Sequence, residues 1–249
     1  FPSSALELAV VGTGRLGGTV AAVLERGGHR VHRIRRGQAI PPSPIIWLTV
    51  PDSEIARVAA TCPRSGVLLH ASGATDLSVL ADHPEAGSLH PLMTFPGDAE
   101  PSPPIPAAVS GSERARQQAR ALARALGWTP FEVPGDRRAY HAAAVIAGNF
   151  ATTLLAEAAR VLEHAGVPAH DAPALLAPLA LQSLRNAAAI GPRGALTGPV
   201  VRGDQAVLDA HRAVLRSAAP DVLPVYETLL HATQRLANTD VTRIETNGD

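Results

Sequence analysis

The sequence has no lysine, one cysteine and few aromatic residues, and each shortage excludes a class of function. All 22 basic residues are arginine, so lysine cannot serve as a general acid and any proton donor must be another side chain. Cys62 is the only cysteine, which excludes intramolecular disulfides and cysteine metal clusters and suits a reducing cytoplasm. Aromatic residues make up 3% of the chain, which argues against recognition of single-stranded nucleic acid by base stacking.

Charge and hydropathy indicate a protein that works in solution on small molecules. Basic and acidic residues both number 22, so no net charge attracts nucleic acid or an anionic membrane. No apolar run approaches the roughly 20 residues that span a bilayer, and the first residues lack the pattern of an export signal. The 249 residues, 46% hydrophobic, are enough for two domains. We expect a soluble cytoplasmic protein with no nucleic-acid or membrane partner.

A glycine-rich motif follows the first apolar run. Gly12, Gly14 and Gly17 form a G-x-G-x-x-G pattern between apolar residues 6–11 and helix-like residues 16–24. In dinucleotide-binding folds the first glycine permits a tight turn, the second lets the backbone approach a pyrophosphate, and the third lets helix pack on strand. The free N–H groups of the helix then face the phosphates. A glycine-rich turn in another kind of α/β protein is the alternative.

The end of the next predicted strand, 29–34, is basic. An acidic residue at this place would bind the 2′-hydroxyl of NAD, whereas arginine accommodates the 2′-phosphate of NADP. The positions here hold Arg33, Arg35 and Arg36 and no carboxylate, so the sequence predicts NADP(H) as cofactor. The alternative is a solvated basic edge.

The third predicted strand, 45–50, follows after an unusually short interval. The proline-rich stretch 38–44 stands where a helix, an edge strand and a second helix normally lie. We therefore expect a truncated, doubly wound parallel sheet whose adenine side is walled by this loop, which would weaken cofactor binding.

Residues that follow the later strands are expected at one edge of the sheet. Val50 and Pro51 close one strand, Ser72 follows the next, and His90 follows the one after. Ligands of such sheets bind where the strands end, so these residues are candidates for the cofactor crevice or the chemistry. His70 lies inside an apolar strand and is expected to be a satisfied core residue. His90 serves either a turn or the reaction.

The second part of the chain is rich in alanine and leucine at helical spacing. The turn at Pro134-Gly135 marks the boundary, so the predicted domains are a Rossmann-like, dinucleotide-binding domain at 1–134 and an all-helical domain at 135–249. Asp136 is a suitable N-cap for a long helix that reaches Gly166.

On that helix a stripe of polar residues interrupts an apolar sequence. His141, Asn149 and Thr152 or Thr153 share one helical face. Burial of these groups would need partners. The stripe is therefore either an interhelical hydrogen-bond network or a substrate face that looks toward the nicotinamide.

A second polar segment, 194–204, separates two later helices. Arg202 could anchor a substrate carboxylate bidentately and Thr197 could orient it. The alternative is a rigid turn stitched by local hydrogen bonds.

Five segments of the sequence, 10–17, 50–52, 87–95, 140–150 and 195–204, together resemble a group of two-domain oxidoreductases. In that group a Rossmann-like half precedes a half known only as a domain of unknown function. More distantly, the chain is similar to pyrroline-5-carboxylate reductase, ketopantoate reductase and 6-phosphogluconate dehydrogenase. The resemblance implies reduction of a carbonyl or imine of a small acid by a nicotinamide cofactor bound between domains. It also implies an all-α domain of the 6-phosphogluconate dehydrogenase C-terminal type that forms a homodimer.

One departure concerns the proton donor. Val145 stands where the 6-phosphogluconate relatives carry a lysine, four residues before their helix asparagine. The pyrroline reductases lack that lysine too, so an imine substrate stays open.

The leading hypothesis is an NADPH-dependent reductase of a small 2-oxo acid, ketopantoate-like, or of a related cyclic imine. The rival is a nucleotide-sensing protein with the same fold and no turnover. His141 or His90 is the expected proton donor, because imidazole titrates near neutral pH, and Asn149 is expected to orient the acceptor group. No metal is expected. The predicted substrate-binding residues are Thr153, Thr197 and Arg202, and the predicted cofactor-binding residues are Gly12, Thr13, Gly14, Arg15, Leu16, Gly17, Arg33, Arg35, Arg36, Val50, Pro51 and Ser72.

Overall fold

A seven-stranded sheet forms the centre of the first half of the chain in the computed structural model, which describes residues 5–97 and 104–238. The sheet order is β2-β1-β3-β4-β5-β6-β7, with β5 and β6 antiparallel and every other neighbouring pair parallel. The predicted Rossmann-like α/β class is confirmed. The strands are β1 (Glu7–Val11), β2 (Arg30–Ile34), β3 (Ile45–Leu48), β4 (Val67–His70), β5 (Ala86–Pro91), β6 (Pro106–Gly111) and β7 (Thr129–Glu132).

The sheet is truncated at the side of β2, as the short interval before β3 predicts. β2 is the edge strand, and β1 lies between β2 and β3. A loop without helix or strand connects β2 to β3 directly.

Helices cover both faces of the sheet because alternate strand residues point to opposite sides. Leu8 and Val10 of β1 pack in a core with α1 (Arg15–Arg26) and α3 (Glu113–Ala125). Ala9 of the same strand packs on the other face, with α2 (Ile55–Ala59). The second face also carries two short 3₁₀ turns, Asp52–Glu54 and Leu77–Leu80.

The long helix predicted after Asp136 is present, but it contains a π turn. It runs as α4 (Arg137–Val145), a π turn (Ile146–Phe150) and α5 (Ala151–Glu163). The Asp136 side chain accepts a hydrogen bond from the Arg138 N–H, which confirms the predicted N-cap. Because a π turn does not keep the spacing of an α-helix, the predicted polar stripe is interrupted between His141 and Asn149.

The same helix corrects the expectation that no apolar segment is long enough to span a bilayer. Residues Arg137–Glu163 contain an 18-residue window with a mean hydropathy of 1.4, of which 6% is buried. By length and composition alone this helix could cross a membrane. Helices that pack against other parts of a protein can have the same length and hydropathy. The observation therefore establishes only that this helix has an exposed apolar surface.

The second half of the described chain is all-helical, as predicted. Its buried core is small and includes Leu215, Ala219 and Val222. Two four-residue helices occupy the segment predicted to interrupt the longer ones. After α5 the helices are α6 (Ala172–Ile190), α7 (Pro192–Ala195), α8 (Pro199–Arg202), α9 (Gln205–Ala218) and α10 (Leu223–Asn238).

The chain divides into two compact units after Gly148, later than the predicted boundary at residue 134. The difference has a local cause. Arg137 and Tyr140 of α4 bond to Ser72 and His90, which follow or end strands of the sheet, so the first turns of the helix belong with the first unit.

Candidate functional site

The glycine-rich turn at the end of β1 has the close packing that its motif predicts. Gly12 has a φ of 106°, and a Cβ there would stand 2.7 Å from the Thr49 carbonyl oxygen. A Cβ on Gly17 would stand 2.0 Å from the Gly12 carbonyl oxygen. Neither position accepts a side chain, so the turn and the start of α1 lie directly against the strands.

Gly14 has open space where the other two glycines are crowded. It is the N-cap of α1, no side chain caps the helix there, and a Cβ on it would meet nothing within 4 Å. The first turn of an α-helix has N–H groups without intrahelical partners, and these attract anions. The open cradle therefore fits a pyrophosphate.

A cavity of about 630 Å³ lies beside this turn. Its lining combines the turn, the segment after β2, the end of β3 and the start of α2. Residues 38–40, the first part of the predicted proline-rich loop, line the cavity together with Gly37, whereas the prolines that follow do not. Of the predicted cofactor residues, the cavity brings together Gly12, Thr13, Gly14, Arg35, Arg36, Val50 and Pro51.

Three arginines and one carboxylate give this cavity its charge. Arg36 lies 3.5 Å from a Glu54 carboxylate oxygen, and Arg57 Nε donates to the same oxygen at 3.0 Å. The Arg57 hydrogen bond, with a smaller effect of Arg36, lowers the pKa of Glu54. Arg35 also lines the cavity, and its backbone N–H donates to Gln38 Oε1 at 2.7 Å. The net charge of these side chains is positive, which suits a phosphate.

Arg33, which the sequence groups with Arg35 and Arg36, does not line this cavity. Its guanidinium donates to both carboxylate oxygens of Glu25, at 2.8 and 2.5 Å. Arg33 is still inside β2, beside the last turn of α1, whereas Arg35 and Arg36 follow the end of the strand. Arg15 and Leu16 are likewise outside the cavity lining and belong to the first turn of α1.

A second group of polar residues lies at the ends of β4 and β5, and it includes Ser72. The Ser72 hydroxyl donates to Asp52 Oδ2 at 2.6 Å and accepts from the Thr75 N–H at 2.9 Å. Its carbonyl oxygen accepts from the Arg137 guanidinium at 2.8 Å. Ser72 therefore organises this second group and does not line the nucleotide cavity.

His70 is fully buried at the end of β4 but only half satisfied. Its Nδ1 accepts from the Ser72 N–H at 3.2 Å, while Nε2 has no hydrogen-bond partner within residues 5–97 and 104–238. Burial, and next the charge of Arg137, lowers the pKa of His70 to about 4. The expectation of a satisfied core histidine therefore holds for one ring nitrogen.

His90 lies between two aromatic neighbours at the end of β5. Its Nδ1 is 2.6 Å from the Tyr140 hydroxyl, and the His141 ring centroid is 6.5 Å from its own. A Cβ on Gly73 would stand 2.8 Å from the His90 ring and 2.9 Å from the His141 ring. Burial, followed by the charges of Arg137 and His141, lowers the pKa of His90 to about 4. His90 is thus uncharged at neutral pH, which is at odds with a role as an imidazolium donor.

Arg137 is the cation of this second group. It donates to the Ser72 carbonyl and, at 3.1 Å, to the Ser110 hydroxyl. No carboxylate forms an ion pair with it in the part of the chain that the structure describes, and its Nε is buried without a partner. Burial lowers the pKa of Arg137. The group formed by Ser72, Gly73, His90, Arg137, Tyr140 and His141 is called the strand-end cluster below.

The remaining predicted residues belong to the second unit and are exposed. The Thr153 hydroxyl donates to the Asn149 carbonyl at 3.1 Å. Arg202 is the last residue of α8, and Thr197 precedes that helix. Asn149 and Thr153 are exposed, which leaves the alternative of a substrate face open.

Sequence reasoning did not assign roles to several residues that the structure places in these sites, among them Tyr140, Arg57, Glu54 and Arg137. Tyr140 had a signal, because it directly precedes His141 in the helix motif. No sequence pattern indicated a role for Arg57, Glu54 or Arg137. Each lies near the start of a helix, and the position of that start depends on how the helix packs on the sheet.

Comparisons with known proteins agree with this fold. A protein from Bacteroides fragilis, provisionally named an NADP oxidoreductase, superposes with a TM-score of 0.77 at 22% identity, over 93% of this chain and 98% of that one. The reductive aminase from Aspergillus terreus in complex with NADPH and ethyl-5-oxohexanoate gives 0.67 at 16% identity, over 93% and 94%. The 1-pyrroline-5-carboxylate reductase from Streptococcus pyogenes gives 0.65 at 14%, over 93% and 99%.

The last of these structures confirms the predicted similarity to pyrroline-5-carboxylate reductase at the level of the fold. No curated protein matches the sequence. The family model described as a domain of unknown function, DUF2520, matches residues 105–233, which is more than half of the chain. The protein therefore belongs to the DUF2520 family.

Proposed function

We propose that the protein is an NADPH-dependent reductase of a small 2-oxo acid, ketopantoate-like, or of a related cyclic imine. The observation that carries the proposal is a shared sheet edge. The glycine turn and its cavity lie at the ends of β1 and β3, and the strand-end cluster lies at the ends of β4 and β5. β1 and β5 are three strand spacings apart, about 14 Å. An extended dinucleotide held at the glycine turn can span that distance.

Two groups of residues in the first unit would hold different parts of the cofactor. The N-terminus of α1 would hold the pyrophosphate at residues 12–17, and Arg35 and Arg36, joined by Arg57, would hold the 2′-phosphate. When bound, NADPH supplies a hydride. Structures of the A. terreus reductive aminase contain NADPH, which supports this choice of cofactor.

We place substrate recognition partly in the helical unit. Arg202 would pair with a substrate carboxylate, with Thr197, Thr153 and Asn149 orienting the rest of the molecule. Their exposure leaves them accessible to a ligand. Replacement of Arg202 by glutamine should raise KM for an acidic substrate and leave NADPH affinity unchanged.

Cofactor choice is tested by measuring the affinity for NADPH and NADH. We expect a clear preference for NADPH. Arg35→Glu should weaken NADPH binding about tenfold or more, because a hydrogen bond to a charged group contributes about 1.5–3 kcal/mol. Arg33→Glu is the matched control, since Arg33 bonds to Glu25 outside the cavity. Equal affinities of the unaltered protein for both cofactors would contradict the proposal.

Turnover is tested by NADPH oxidation against a panel of 2-oxo acids and cyclic imines. Oxidation that depends on one class of substrate supports the reductase and identifies carbonyl or imine reduction. Tight NADPH binding without oxidation for any member of the panel would instead support a nucleotide sensor.

We also propose a cytoplasmic homodimer that forms through the helical unit. Leu179 and Leu184 on α6 are 67% and 59% exposed, and α6 buries only Ala172 among its 19 residues. Apolar surface of this extent is typical of an interface. Leu179→Glu should convert a dimer to a monomer in light scattering, whereas Arg185→Glu on the same helix should not. A monomeric unaltered protein at about ten micromolar or above would contradict the proposal.

A further inference from the structure

The strand-end cluster contains the phenol of Tyr140. This phenol has no assigned role if a histidine is the proton donor. Tyr140 lies in the first turns of α4, its hydroxyl is 2.6 Å from His90 Nδ1, and its ring centroid is 6.1 Å from that of Phe131. We propose that Tyr140 is the catalytic proton donor of the reduction and that His90 is a positioning residue that holds the Tyr140 hydroxyl and restores its proton. This inference rests on the reductase function proposed above.

The surroundings of Tyr140 suit a group that keeps its proton until it is needed. Burial raises the pKa of Tyr140, so the phenol is protonated at neutral pH. The charge of Arg137 acts in the opposite direction, since a nearby cation favours the phenolate. A donor needs both properties, because it must hold a proton in the resting site and tolerate its loss in the transition state.

His90 is better placed to support Tyr140 than to replace it. An imidazole with a pKa of about 4 is neutral at pH 7 and carries one N–H. With that proton on Nδ1, the ring donates to the phenol oxygen and fixes its direction. The phenolic proton is then free to point at a substrate.

The proton that the substrate receives can be traced through the cluster to solvent. As the substrate carbon is reduced, the electron pair of its C=O or C=N bond moves to the heteroatom, which takes the phenolic proton of Tyr140. His90 Nδ1 passes its proton to the phenolate while Nε2 takes one from water, so His90 stays neutral. The ring then carries its proton on Nε2 and returns to the Nδ1–H tautomer by proton exchange with water before the next turnover. One proton from solvent is consumed for each substrate reduced.

The two tyrosines of the sequence allow a direct test by ¹⁹F NMR. The protein labelled with 3-fluorotyrosine gives two signals, which the Tyr226→Phe variant assigns. NADP⁺ has a positive nicotinamide and NADPH has a neutral one. If Tyr140 lies at the reacting carbon, its pKa should be lower in the NADP⁺ complex than in the NADPH complex by about one unit or more, the effect of a unit charge within roughly 10 Å.

Tyr226 is the internal control, because it pairs with His211 within the second unit and should show no such difference. Binding of both cofactors with an unmoved Tyr140 signal, or an equal response of both phenols, would overturn the donor assignment alone. Failure of both cofactors to bind would overturn the reductase proposal as well.

The second test is kinetic and uses the substrate identified among the 2-oxo acids and cyclic imines. Tyr140→Phe should lower kcat by about 10² to 10⁴ with unchanged NADPH affinity. His90→Asn keeps an N–H donor near the Nδ1 position but cannot relay a proton, so kcat should fall less and its pH profile should shift, while KM stays similar. Near-normal kcat in Tyr140→Phe would overturn the proposal.

Discussion

Residues 5–97 and 104–238 include two histidine–tyrosine pairs, one in each unit, and their surroundings differ. In the first unit His90 Nδ1 lies 2.6 Å from the Tyr140 hydroxyl, and in the second His211 Nδ1 lies 3.0 Å from the Tyr226 hydroxyl. The rings are nearly perpendicular in both, at 90° and 87°. The first pair joins a strand end to a helix start, whereas the second joins α9 to α10 on an exposed surface.

The cations beside the two pairs show what separates a chemical site from a structural contact. Arg137, near His90, bonds to a carbonyl and a hydroxyl and has no carboxylate partner among the described residues. Arg212, near the second pair, bonds to Glu227 at 2.7 Å and to Asp209 at 2.8 Å. Arg137 lowers the pKa of the buried His70 and His90 rings, whereas Arg212 pairs with carboxylates on α9 and α10 and lowers their pKa. A histidine–tyrosine pair therefore has a different role in each unit.

After the loss of turnover expected for Tyr140→Phe, the next largest effect should come from breaking the first pair through the backbone. In Gly73→Ala the new Cβ would stand 2.8 Å from the His90 ring, so the ring must move. Displacement of a catalytic group by about 1 Å costs roughly 10² in rate, and we expect turnover to fall by that factor. Gly135→Ala is the matched control, because a Cβ there meets nothing within 4 Å. Similar turnover in the two variants would contradict the role of the cluster.

The pH dependence of stability should distinguish the two pairs next. Burial lowers the pKa of His70 and of His90 from 6.5 to about 4, so the folded state favours the neutral rings. Their contribution is fully present above pH 6.5 and is lost as the pH falls through 6.5 toward 4, because the unfolded chain takes up the protons first. Unfolding in denaturant should show a loss of a few kcal/mol across this range.

Variants assign that loss to particular rings. His90→Asn should make the fall in stability between pH 6.5 and 4 shallower, because it removes one of the titrating groups. His211→Asn changes the ring of the other pair and is the matched variant for comparison. An identical slope in His90→Asn and in the unaltered protein would contradict the assignment.

The nucleotide end of the first unit could be predicted from the sequence because its geometry is local. The positions of Gly12, Gly14 and Gly17 define the turn within six residues, and the missing connection after β2 was visible in the length of the loop. The direction of the Arg33 side chain could not be predicted from the sequence, for a physical reason. Strand residues alternate in direction, and whether one meets a helix or a cavity depends on which helix lies beside it, here the one that carries Glu25.

The strand-end cluster could be predicted only in part, because its members are distant in sequence. Tyr140 and His90 are 50 residues apart, and their hydrogen bond depends on where α4 meets the sheet. The π turn at Ile146–Phe150 was also not predictable from hydrophobic spacing, which assumes an unbroken α-helix. The glycine turn could be predicted because its residues are close together in the sequence. The strand-end cluster could be predicted only in part, because it depends on contacts between residues that are far apart in the sequence.

The smallest effect should come from removing each phenol hydroxyl and measuring stability instead of turnover. Tyr140→Phe leaves His90 Nδ1 without its described partner in a half-buried place, and an unsatisfied group of this kind costs about 1–3 kcal/mol. In Tyr226→Phe the exposed His211 ring can bond to water, so the free energy of unfolding should fall by less than about 1 kcal/mol. Denaturant unfolding of both variants at pH 7.5, where the imidazole of the first pair is neutral, gives the comparison. Equal losses would mean that the two pairs are energetically alike, and the burial argument for the first pair would fail.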